Sequence, residues 1–115
     1  MAAKTILTTV KDNLGIAEDD DSFDSEIVGW INTAFVTMRQ IGVGPKTGFA
    51  ISTTSTETWD DYECSIIIIE MVKSYVNTYA RKMFDPPRSS FLMDSLDKQL
   101  AEYIFRLNID VDPEV

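Results

Sequence analysis

The sequence predicts an all-α domain: a small bundle of about four helices, with a loop or short β-hairpin between the second and third and an extended C-terminal tail. Three observations predict it. Apolar residues recur at steps of three and four in four separate segments. Glycine or proline stands at each junction between them. The 115 residues are 44% hydrophobic and 25% charged, an ordinary globular composition. A chain of that length reads as one domain that buries about two-thirds of its unfolded surface. We divide it into residues 1–107, containing a loop or arm at 43–58, and a tail at 108–115.

The first helix is short, with Leu7, Val10 and Leu14 in one stripe and Gly15 as its C-cap. The second follows the acidic run "EDDDSFDSE", with Ser22 or Asp24 as the capping residue. Its apolar positions are Ile27, Ile31, Ala34, Met38 and Ile41, and Gly42, Gly44 and Pro45 stop it. In the following loop, Phe49 and Ile51 alternate within a Ser/Thr-rich stretch, which favours a hairpin or extended arm over a helix.

The third helix is expected to be the longest, from Trp59 to Phe84, or about 37 Å. Thr58 is its N-cap and Asp61 lies three residues on. Two apolar stripes run along it: Tyr62, Ile66, Ile69, Val72, Val76, Ala80 and Met83, and then Cys64, Ile68, Met71, Tyr75 and Tyr79. Burial on two sides makes it the central helix. The four consecutive isoleucines argue locally for a short strand, because β-branched side chains lose freedom in a helix. The flanking period and the caps outweigh them.

The third helix must end at Asp85. Residues before proline avoid the α region, and Pro86 and Pro87 donate no backbone hydrogen bond. Ser89 or Ser90 then caps a fourth helix with Leu92, Leu96, Leu100, Tyr103 and Leu107 on one face. Asp94–Lys98 and Glu102–Arg106 form i,i+4 pairs on its other side. The tail "NIDVDPEV" carries few packing residues.

Several chemistries are excluded. The chain has no histidine, so it lacks the commonest general base and metal ligand. Cys64 is a lone cysteine; it reads as a small buried hydrophobe and suits a reducing compartment. The run from Glu18 to Glu26 fails as an EF-hand, since counting from Asp20 puts Ser25 where the loop needs Gly and Ile31 where it needs Glu. "GVGPKTG" lacks Walker spacing and follows a helix. The pairs Asp60–Asp61 and Asp94–Asp97 read as solvated helix starts. The aromatic residues Tyr62, Tyr75, Tyr79, Phe84, Phe91 and Tyr103 lie at core spacing. No apolar run reaches the roughly 18 residues of a membrane span, and "MAAKTILTTVKDNLG" has no secretory h-region. No catalytic, metal or cofactor site is expected. A net charge of −9 leaves little Lys and Arg for binding phosphate backbones.

The junction Phe84, Asp85, Pro86, Pro87, Arg88, Ser89, Ser90, Phe91 is the most specific stretch. With "DSFDSEIVGWINTA", "QIGVGP", "GFAI", "TWDDYE" and the closing helix that ends in "RLN", it resembles, in order, the head–tail connector or adaptor proteins of long-tailed bacteriophages. The likeness runs from about Asp21 to Asp110. It implies a structural virion protein, not an enzyme, assembled in the bacterial host cytoplasm and residing at the neck. Such proteins form a homo-oligomeric ring under the portal, commonly dodecameric, and join it to a downstream neck or tail completion protein. They pass DNA through their channel without sequence-specific binding, during packaging and ejection.

A ring is a heterologous assembly, so each subunit needs two different complementary faces. The expected faces are the acidic turn Glu18, Asp19, Asp20, Asp21 and the basic positions Lys73, Arg81, Lys82 and Arg88. The gripping segments are expected in the arm (Phe49, Ile51) and the tail (Asn108, Ile109, Asp110, Val111). The alternative from another class is an acidic DNA mimic that inhibits a basic nucleic-acid-binding protein.

Overall fold

Four helices and a single 3₁₀ turn make up the computed structural model, which describes residues 4–54 and 56–111, with side chains through 109. The helices are α1 (Ile6–Leu14), α2 (Asp24–Gln40), α3 (Ile69–Phe84) and α4 (Ser90–Val111). No strand occurs among the described residues, so the hairpin reading gives way to the loop.

Local rules place the ends of α1. The Thr5 side chain accepts the Thr8 N–H, and Gly15 closes the helix at φ 79° in the left-handed region. Neither Ser22 nor Asp24 caps α2. Phe23 occupies that position with no side-chain bond, and Asp24 is the first helical residue. Asp24 is instead engaged by Lys11 across the α1–α2 turn, at 2.9 Å.

The third helix is shorter than its pattern predicts. Thr58 and Asp61 do interact, the Asp61 carboxylate accepting the Thr58 N–H at 2.8 Å, but they close only the turn Trp59–Asp61. Tyr62 then turns to extended backbone. Its ring stacks on Phe35 with centroids 5.0 Å apart and meets Phe49 and Trp59 edge-on. Burying a tyrosine removes at least ~150 Å² from water, or about 4 kcal/mol at 25 cal/mol/Å². Helix propensity offers only a few tenths per isoleucine in return. The chain re-enters a helix where the Ser65 hydroxyl accepts the Ile67 N–H and the Ser65 carbonyl accepts Ile68 and Ile69. Thus α3 spans 16 residues, about 24 Å. It is central all the same: it packs against α1, α2 and α4.

The loop before α3 is folded inward and is no free arm. Asn32 in α2 clamps Ile51 from both sides, donating to its carbonyl at 2.9 Å and accepting its N–H at 2.8 Å. The Glu57 carbonyl accepts the Ile6 N–H, and the Trp59 indole donates to Thr9. Gly44, at φ 84°, lies so close to the Tyr62 ring that a Cβ there would meet Cζ at 2.6 Å. Burial pushes the Tyr62 phenol far above its ordinary value, so it stays neutral.

The elbow forms where the two prolines require it. Phe84 ends α3, and its ring is held edge-on by Phe23 (5.4 Å) and Trp30 (6.3 Å) of the α2 region. The Ser89 hydroxyl accepts the Leu92 N–H, capping α4. The fourth helix continues through Val111, so Asn108 to Val111 are helical rather than extended. The remainder of the expected tail, 112–115, lies outside the described residues.

Candidate assembly surface

The expected interface residues fall into three groups. Most of the basic positions are occupied within the protomer. Arg81 donates to the Asn13 carbonyl at the end of α1, where a cation suits the helix dipole. Lys82 pairs with Asp97 of α4, and Lys73 with Glu70 one turn away. Ile51 is buried in the core, and Phe49, half-buried, packs edge-on to Phe35 at its margin. Ile51 is corrected from interface to interior, because the Asn32 clamp draws the loop onto α2, while Phe49 keeps part of its ring at the surface.

The acidic turn is partly spoken for. Lys4 reaches Asp12 at 2.6 Å and Glu18 at 3.4 Å. Asp19, Asp20 and Asp21 are exposed. Ser22 donates to Asp20 and holds its carboxyl below the ordinary range. At the elbow, Asp85, Pro86, Arg88, Ser89, Ser90 and Phe91 are exposed while Phe84 and Pro87 are half-buried. Arg81 and Arg88 are both exposed and without an ion pair among the described residues, but Arg81 is held by the Asn13 carbonyl. That leaves Arg88 as the one of the four basic positions with neither an ion pair nor a hydrogen bond there.

The sequence reading missed the most apolar exposed surface. Only the lower part of the expected α4 stripe is buried: Leu100 and Leu107 are inside, whereas Leu92 is 53% exposed. The opposite face of α4 carries Phe91, Phe105 and Ile109, exposed by 75%, 66% and 61%. Their spacing of 14 and 4 residues puts them on one line of a helix. That signal was available in the sequence. It was masked because the leucine stripe already explained burial. Ile66 and Ile67, exposed by 86% and 79%, precede α3 at the same end of the bundle as Ile109. Between the helices there, Met71, Glu102, Phe105, Arg106 and Ile109 line a shallow groove of about 410 Å³. Large exposed apolar side chains arranged in this way characterise surfaces that meet other proteins.

Among the described residues there is no group of His, Cys, Asp and Glu able to hold a metal ion. No helix among them is long and apolar enough to cross a membrane. Burial raises the pKa of the Cys64 thiol, the opposite of what an activated nucleophile requires.

The fold and these surfaces define an all-α protein equipped for assembly. The family model described as phage connector protein matches residues 6–114, almost the whole chain, and the chain belongs to that family. It matches no curated protein and no solved structure. Membership gives it a structural connector role at the virion neck, in association with portal and neck proteins.

Proposed function

We propose that copies of the chain form a closed ring beneath the portal, join it to the next neck or tail completion protein, and line the channel through which DNA passes. The observation that carries this reading is the family match across residues 6–114. The geometry supports it in two places. The elbow holds Arg88 rigidly after two prolines, exposed and without an ion pair among the described residues. The turn Asp19–Asp21 offers exposed carboxylates beyond α1. Arg88 of one subunit meeting that turn on the next gives the two unlike faces that a ring needs. The net charge of −9 weakly repels passing DNA, over the ~8 Å that physiological salt allows.

The test is co-sedimentation with the portal protein of the same phage. Wild type is expected to travel with the portal in a fixed ratio. Arg88→Glu turns an attraction into a repulsion at every subunit contact and is expected to abolish ring closure while the circular dichroism spectrum is unchanged. Full co-sedimentation of this variant would remove Arg88 from the contact. Failure of the wild type to bind would reject the ring reading itself.

A further inference from the structure

We propose that two free copies of the chain pair antiparallel, about a two-fold axis, through the outer face of α4. The pairing goes beyond the ring, involves neither Arg88 nor the acidic turn, and is tested without the portal.

The argument is a register. From Phe91 to Ile109 is 18 residues, five full turns, so both side chains leave α4 in the same direction. Between them, Ser95, Lys98, Glu102 and Phe105 complete a line with alternating steps of four and three. This is the seam of a heptad repeat, and it lies opposite buried Leu100 and Leu107. An antiparallel copy centred on Leu100 sets Phe91 against Ile109, Ser95 against Phe105 and Lys98 against Glu102. Each layer occurs twice by symmetry.

Charge selects this orientation. In a parallel pair in register, Lys98 would face Lys98 and Glu102 would face Glu102. In the antiparallel pair both central layers join opposite charges. The flanking positions offer no conflict, since Gln99 meets Gln99 and Ala101 meets Ala101 across the axis. Two charged layers at the centre of a seam whose ends are apolar cost some stability and fix register and direction. The groove between α3 and α4 supplies the shape. Phe91 of the second copy arrives at Ile109 and enters the space lined by Met71, Phe105 and Ile109. Such a contact is isologous, so it stops at two copies and covers apolar residues that are otherwise exposed to water.

Light scattering on the eluting full-length chain tests this. Wild type is expected at twice its 13.0 kDa. Lys98→Glu alone and Glu102→Lys alone each create like-charge layers. Each is expected to raise the dimer dissociation constant by about tenfold or more. The double variant K98E/E102K exchanges the charges and is expected to restore the dimer, a recovery that loss of folding cannot imitate. Circular dichroism is expected to show the same helicity in all four proteins. A monomeric wild type, a larger closed ring in solution, single variants that dimerise normally, or a double variant that stays monomeric would each overturn the pairing. A wild type that is monomeric yet forms a ring on the portal would overturn the pairing and leave the ring standing.

Discussion

Phe35→Ala is expected to destabilise the protein by about 4 kcal/mol, the range for removing a buried aromatic side chain. Phe35 is 2% exposed and sits where α2 meets the loop before α3. It touches three other rings at once: Phe49 at 5.2 Å, Trp59 at 5.8 Å and Tyr62 at 5.0 Å. Its loss leaves a cavity that those rings cannot all fill, because Asn32 fixes Ile51 and Trp59 is fixed to Thr9. Since domains of this size are stable by only about 5–15 kcal/mol, the midpoint of urea unfolding is expected to fall sharply. A change below about 1 kcal/mol would show that the aromatic cluster does not hold the loop.

Lys11→Met is expected to cost about 3 kcal/mol, by a different mechanism. The Lys11 side chain is 4% exposed and that of Asp24 16%, and the two form an ion pair at 2.9 Å. Lys11 also donates to the Glu18 carbonyl. It therefore ties the end of α1, the acidic turn and the first residue of α2 to one point. Removing one member of a buried pair strands the other's charge, and the stranded charge is what makes the change severe. The control is Lys11→Met with Asp24→Asn, which removes both charges and is expected to recover much of the loss. If the double variant is no more stable than the single one, unfolding data will place the effect of Lys11 in its backbone contact instead.

Helix order, the stops at Gly15 and the proline pair, and the cap at Ser89 were all legible in the sequence. Each depends on chemistry within a few residues: a left-handed glycine, a missing N–H, a hydroxyl near a helix start. The start of α3 was not legible. The 3.6-residue pattern from Tyr62 onward looked helical because Tyr62 is indeed buried. Its ring, however, is drawn to Phe35 from another helix, a contact 27 positions away that no local window contains. The partners of Arg81 and Lys82 within the protomer were hidden for a similar reason. Their charges were evident, but Asn13 and Asp97 became their partners only once α3 lay between α1 and α4.

The assembly surface divides in the same way. Arg88 follows from the prolines beside it, and the structure leaves it exposed. The outer face of α4 required knowing which of its two apolar lines the bundle uses. Packing against α3 takes the line through Leu100 and Leu107, and only then do Phe91, Phe105 and Ile109 become surface.

Negative-stain imaging of the chain mixed with its portal protein bears most directly on the connector assignment. Class averages viewed from the side should gain a closed tier of density beneath the portal, coaxial with its channel and absent from portal alone. Portal particles with no added tier, or with copies attached singly to the outer wall away from the axis, would contradict it.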